Sequence, residues 1–285
     1  MPHGREDKRL RFHGLWAQVK RYERTVLVVL VRGFRVVANR HVGFSSPIFR
    51  VGHSQVEKSL IGGRRMPEQS TTIADDPFRS RRPTSHERTS GRPWDASYTD
   101  DGPAPWDIGR PQSAIARLAS RGVFAGEVLD AGCGTGEHTL LVASLGLPVL
   151  GVDVAETALA MARKKAADRG LEAEFATADA LHLESLGRRF GAVLDCGLFH
   201  SFEDDERSDY AASLASVIKQ DGTLYVLCFS YEGPDPGPHP IRREELSAAF
   251  SPDHGWNVIA IEHERIDTNY HATGVSAWLA TIKRI

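Results

Sequence analysis

The chain has 285 residues, three cysteines and a formal net charge of −2, so it can bury one large core or two small ones, and a disulfide framework is excluded. The charge is unevenly placed. Residues 1–65 hold 14 Lys and Arg against 4 Asp and Glu, a net of +10, whereas residues 66–285 hold 21 against 33, a net of −12. A nucleic-acid partner needs an electropositive footprint, so the acidic portion argues against one.

The basic N-terminal extension, residues 1–65, contains one apolar run at 26–31, flanked by Arg24 and Arg32. A transmembrane helix needs roughly 20 apolar residues, and the run lacks the features of a secretory signal. A disordered arm, an added strand or interfacial helix, and a stretch missing from the functional protein all remain open. Met66 is an alternative start. Residues 66–104, rich in Pro, Ser, Thr, Arg and Asp, are expected to be a flexible lead-in to a domain spanning residues 105–285.

Within that domain residues 111–121 form a helical pattern with Ile115 and Leu118 on one face. Then comes Val128-Leu129-Asp130-Ala131-Gly132-Cys133-Gly134-Thr135-Gly136-Glu137-His138, an apolar strand ending in an acid and a glycine-dense turn that opens a helix at 137–145. Glycines let the backbone bend and approach a ligand where a Cβ would block it. A second buried strand, 148–153, ends in Asp153, 23 positions beyond Asp130, where a carboxylate can accept both ribose hydroxyls of a nucleoside. A helix at 155–169 leads through Gly170 to a third strand ending at Asp179, and a fourth strand, 190–196, ends in Asp195-Cys196-Gly197-Leu198-Phe199-His200. These polar ends belong on the carboxyl edge of one parallel sheet, where open α/β sheets bind ligands.

Tyr210, Leu214, Val217 and Ile218 recur at helical spacing after an acidic start at 203–206, with Gly222 ending the element. Residues 223–229 form a fifth strand, 244–250 a short helix, and 256–266 and 274–282 an antiparallel pair. The cysteines and histidines show no recognisable metal spacing, so no metal is expected. Cys133 and Cys196, beside the expected ligand site, suit a reducing cytoplasm.

The alternate-glycine turn, D-x-G-x-G-x-G, with the four acidic strand ends resembles the class I S-adenosylmethionine-dependent methyltransferases over about residues 91–285. The lead-in pieces Gly91-Arg92-Pro93-Trp94-Asp95 and Pro105-Trp106-Asp107-Ile108-Gly109-Arg110-Pro111 are similar to those of small-molecule methyltransferases related to the thiopurine and halide enzymes and to the mycobacterial heterocyclic-toxin methyltransferase. The resemblance implies an α/β, Rossmann-like seven-stranded sheet in the order 3-2-1-4-5-7-6, its last strand antiparallel, with helices on both faces. It implies S-adenosyl-L-methionine as cofactor, seated by Asp130, Gly132, Cys133, Gly134 and Gly136. Asp153 would hold the ribose, Asp179 and Ala180 would flank the adenine, Val154 would cover one of its faces, and Asp195 would join them from strand four. Trp106 is the expected lid.

The expected acceptor is a small aromatic or heterocyclic molecule carrying a hydroxyl, thiol or ring nitrogen, with O-methylation of a hydroxyquinolone-like compound implied by the toxin-methylating relatives. Phe199, Phe229, Tyr231 and His239 are the expected acceptor contacts. His200, just after strand four, is the candidate base, because an ordinary imidazole accepts protons near neutrality. Packing beneath the loop is its alternative role. His138 is expected to touch the donor's carboxylate or pack locally. An N-P-P-Y tetrapeptide is absent: the position reads Asp195-Cys196-Gly197-Leu198, which argues against DNA adenine or protein glutamine. A nicotinamide-dependent oxidoreductase is disfavoured by the early third glycine. A non-catalytic S-adenosylmethionine-binding protein stays open, as do a monomer and a homodimer.

Overall fold

The computed structural model describes Phe78, residues 81–99 and residues 102–285. The expectations for the basic extension, the apolar run at 26–31 and Met66 lie outside these residues.

The described chain forms a seven-stranded sheet in the order β3-β2-β1-β4-β5-β7-β6. Strands β1 (Val128–Ala131), β2 (Val149–Asp153), β3 (Glu174–Thr177), β4 (Phe190–Cys196) and β5 (Ile218–Phe229) run parallel, and β7 (His271–Arg284) runs antiparallel to both β5 and β6 (Trp256–Thr268). Alternation along the strands sorts the core onto two faces. Leu129, Leu150 and Val193 share one core cluster with Tyr210, Leu214, Phe250, Trp256 and Trp278. Val128, Val149, Ala192 and Leu194 share the other with Ile115, Leu118 and Val142. The helices behind these contacts are α2 (Ser113–Ser120), α3 (Glu137–Ser144), α4 (Glu156–Arg169), α5 (Asp204–Val217) and α6 (Arg243–Ala249). Among the described residues no helix is long and apolar enough to cross a membrane.

Three sequence expectations need correction. The lead-in was expected to be flexible, yet its described part carries helix α1 (Ser85–Ser90) and a 3₁₀ turn (Trp94–Tyr98). Helix α1 opens with a capping box, the Thr84 hydroxyl accepting from Glu87 N while the Glu87 carboxylate accepts from Thr84 N. Strand β3 ends at Thr177, two residues before Asp179, which instead caps the 3₁₀ segment Ala180–Leu186 by accepting from Leu181 N. Helix α5 stops at Val217 rather than at Gly222. The β5 register then jumps from Phe190↔Ile218 to Ala192↔Thr223, and Asp221 takes a left-handed φ of 59° within the intervening bulge.

Candidate active site

The turn after β1 is built by its glycines. Gly134 has φ 51°, and a Cβ there would stand 3.0 Å from Tyr98 Oη. Gly136, with φ 83°, begins α3, and its Cβ would stand 2.7 Å from that of Ala162. Two backbone amides converge on the end of β2: Gly134 N donates to Asp153 Oδ2 and Ala155 N to Oδ1, both at 2.8 Å. A carboxylate offers about four acceptor positions, so Asp153 keeps capacity for two further hydroxyls. Burial raises its pKa against the lowering effect of those amides.

Asp130 and Asp195 stand on adjacent strands one register position apart, Asp130 pairing with Leu194 and Ala131 with Asp195, so their side chains leave opposite faces of the sheet at its carboxyl edge. Asp130 Oδ2 accepts from Thr139 Oγ1 at 2.6 Å, and Asp195 Oδ1 accepts from Leu198 N and Phe199 N at 3.0 and 3.3 Å. The second oxygen of each, Asp130 Oδ1 and Asp195 Oδ2, is buried without a hydrogen-bond partner. The Tyr210 hydroxyl lies close to Asp195 without reaching hydrogen-bond geometry. Burial, helped by the neighbouring carboxylates, pushes both groups up to about 7. Two orphaned acidic oxygens, a glycine turn that a side chain would fill and a carboxylate with spare acceptors suit a ligand bearing an ammonium and a ribose.

The lead-in roofs this edge and is fastened at several points. Glu206, in the first turn of α5, accepts from Ser85 N at 2.8 Å, from Ser85 Oγ and from Arg88 at 2.9 Å. Helix α4 has alanine at its N-cap. Asp95 supplies the missing cap from a distance, accepting from Thr157 N at 2.7 Å and Thr157 Oγ1 at 2.9 Å. Thr135 Oγ1 donates to Asp107 Oδ2 at 2.9 Å, while Asn269 N donates to Pro105 O at 3.0 Å and ties the same segment to the β6–β7 tip.

Within the lead-in a cavity of about 350 Å³ is walled by His86, Ser90, Arg92, Trp94, Ser97 and Trp106, among others. The His86 ring stacks on Trp94 at 4.3 Å, and Trp94 meets Trp106 edge to face at 5.8 Å. Trp106 Nε1 donates to Tyr98 Oη at 3.1 Å. Trp106, 40% exposed, therefore walls the cavity, and the aromatic ring against the glycine turn is that of Tyr98.

His200 does not have the geometry of a base. Strand β5 outruns β4, whose pairing ends at Cys196↔Leu227, so Phe229 N is left to donate to His200 Nδ1 at 3.3 Å. A backbone N–H can only donate, so Nδ1 is the bare nitrogen and the neutral ring carries its hydrogen on Nε2, as a donor. Burial, with His239, Arg207 and His86 nearby, holds the imidazole down to about 3. His138 is likewise structural: half-buried, held down to about 4 by desolvation, and accepting from Gln112 N through Nε2 at 3.1 Å.

The other expected residues divide. Phe199 is fully buried between Phe250 and Arg207, in the core rather than on an acceptor surface. Cys133 is buried, with its thiol packed toward Gly151. Val154 is half-buried on the turn after β2, and Ala180 is buried beside the Asp179 cap. Phe229 lies beneath the His200 ring at 4.2 Å. Tyr231 is 53% exposed under Arg242. His239, at a left-handed φ of 50°, meets His86 edge to face at 6.1 Å. Tyr98, His86 and Glu206 were not anticipated from sequence. The Thr84-x-x-Glu87 capping box was the available signal for an ordered segment there. Among the described residues no acidic, histidine or cysteine cluster could hold a metal.

Comparison with known proteins accords with this geometry. The methyltransferase-domain family matches residues 128–222. A 2-heptyl-1-hydroxyquinolin-4(1H)-one methyltransferase of Mycobacteroides abscessus is 34% identical over 186 residues, 62% of this chain and 81% of its own. A probable thiol methyltransferase of Arabidopsis thaliana is 31% identical over 155 residues, 53% of this chain and 67% of its own. A solved structure concerned with conversion of a disulfide bond into a thioacetal group during echinomycin biosynthesis is 36% identical, covers 67% of this chain and 90% of its own, and superposes with a TM-score of 0.61. The chain belongs to the class I S-adenosylmethionine-dependent methyltransferases, and S-adenosylmethionine is its cofactor.

Proposed function

We propose that this methyltransferase acts on a hydroxyl, thiol or ring nitrogen of a small aromatic heterocycle, with a hydroxyquinolone-like hydroxyl the best match. The observation that carries the reading is the cavity walled by Trp94, Trp106 and His86, one side chain away from the glycine turn through the Trp106–Tyr98 hydrogen bond. A wall of indole and imidazole rings, with Trp94 and Trp106 packed edge to face, suits the apolar face of an aromatic ring. When bound, S-adenosylmethionine supplies a methyl carbon already activated by its sulfonium. The protein's task is then alignment and exclusion of water.

In this reading the Gly132–Gly136 turn and Tyr98 enclose the methionine portion, Asp130 receives its ammonium from one face of the sheet edge while Asp195 closes that edge from the other, and Asp153 holds the ribose. Asp179 and Ala180 flank the adenine and Val154 covers it. The three free thiols, all half-buried or buried, suit a reducing cytoplasm. The test is methyl transfer to hydroxylated and thiol-bearing bicyclic heterocycles, including a 1-hydroxyquinolin-4-one, followed by mass spectrometry. A gain of one methyl group on the acceptor is expected. Failure across the panel by protein that binds S-adenosylhomocysteine would refute the acceptor class.

A second expectation concerns protons. Burial pushes Asp130 and Asp195, on the two faces of the sheet edge, up to about 7, and an ammonium beside a carboxylate favours its charged form. Donor binding should therefore release protons, and donor affinity should rise as pH increases through about 7. Calorimetric heats in buffers of different ionisation enthalpy report this directly, and heats that do not depend on the buffer would remove the ammonium from these carboxylates.

A further inference from the structure

Three imidazoles from three separate elements lie near one another, and one of them, His86, walls the cavity. His86 comes from α1, His200 from the turn after β4 and His239 from the strained loop after β5. His86 meets His239 at 6.1 Å, and both lie near enough to His200 for their charge to bear on it. Their surroundings give them different capacities. His200 is committed at Nδ1 to Phe229 N, which leaves its neutral ring a donor with no bare nitrogen to take a proton. His239 stands behind His86, presenting its ring to the His86 edge. His86 is the member that walls the cavity, with one face laid on Trp94, so the stack fixes its ring plane where an aromatic acceptor would lie.

Resting on the proposed reaction, we propose that His86, and not His200, accepts the proton of a hydroxyl-bearing acceptor. As the acceptor oxygen bonds to the methyl carbon, the carbon–sulfur bond breaks and its electron pair stays on sulfur. The acceptor's proton passes to the bare nitrogen of His86 and from there to water. For this His86 must be neutral beforehand. Partial burial, then the neighbouring His239, lower its pKa, while Glu87 opposes them. Glu87 is itself paired with Arg81 and bonded to Thr84 N and Trp94 N.

The assignment yields a contrast between two acceptors of one shape. A hydroxyl retains its proton at neutral pH and needs a base, whereas an aromatic thiol there is largely thiolate and needs none. With 7-hydroxycoumarin and 7-mercapto-4-methylcoumarin as probes, His86→Gln is expected to lower turnover of the hydroxyl at least about thirtyfold. Turnover of the thiol should change less than about threefold, with S-adenosylhomocysteine affinity unaltered. The same variant should flatten the acidic limb of the hydroxyl pH profile, whereas His200→Gln should leave that limb in place. Absorbance supplies a readout independent of turnover: wild-type protein saturated with S-adenosylhomocysteine should bind 7-hydroxycoumarin as its anion, and His86→Gln should bind it neutral.

Equal losses on both probes, or an anionic bound coumarin in His86→Gln, would overturn the assignment. An intact pH limb in His86→Gln that disappears in His200→Gln would return the role to His200. If the wild type bound the anion in a His86-dependent way but transferred no methyl group, the assignment to His86 would be supported and the proposed reaction refuted.

Discussion

Asp153→Ala is expected to weaken S-adenosylhomocysteine binding about a hundredfold, read by calorimetry at fixed pH. Two losses combine. The ribose hydroxyls lose a charged acceptor, for which hydrogen bonds of about 1.5–3 kcal/mol are typical. Gly134 N and Ala155 N, which now donate to the carboxylate at 2.8 Å, lose the group that fixes the glycine turn against β2. A hundredfold change corresponds to about 2.7 kcal/mol, so one such bond and a modest loosening of the turn suffice. Asp153→Asn separates the two contributions, because its amide keeps one acceptor oxygen but turns the other position into a donor facing an N–H. If Asn binds as weakly as Ala, the full carboxylate is needed. Unchanged affinity in Asp153→Ala would move the ribose to another part of the edge.

The sequence was most legible where chemistry and local geometry coincide. Gly132, Gly134 and Gly136 all take positive φ, so their spacing reports a backbone path directly, and Asp153 marks the strand end beside it. The seven strands follow from alternation and short apolar runs, and their order is as the family resemblance implied. What stayed hidden depended on contacts distant in sequence. The lead-in reads as flexible by composition because it lacks apolar periodicity, but its described part is held by buried polar anchors: Glu206 for Ser85, and the α4 N-terminus for Asp95. Composition cannot register a carboxylate whose partner lies 121 residues away. Sequence left His200 open between base and loop packing for a related reason. Its position after β4 was right, but the nitrogen available for chemistry is decided by how far β5 extends past β4, a property of strand register. Phe199 shows the same limit, since adjacency to a site does not fix the direction in which a side chain points.

Gly136→Ala is expected to cost about 3 kcal/mol of stability, lower the melting temperature by roughly 10 °C for a domain of this size, and abolish measurable donor binding. An alanine at φ 83° meets the left-handed penalty of about 1–2 kcal/mol. Its Cβ would also lie 2.7 Å from that of Ala162 and 3.0 Å from the Phe175 ring. The ring can tilt, but the Ala162 methyl is fixed to the backbone of α4 and has no rotamer to escape into, so relief requires α3 and α4 to separate. That separation would drag the glycine turn away from Asp153. Gly146→Ala provides the control, since Gly146 has φ 75° and nothing within 4 Å of a Cβ; it should lose only about 1 kcal/mol for backbone strain and keep its affinity for S-adenosylhomocysteine. Equal destabilisation by the two substitutions would show that conformation alone demands glycine at 136. The expected excess at Gly136, together with loss of binding, would show that the close approach of α4 to the turn sets the shape of the donor site.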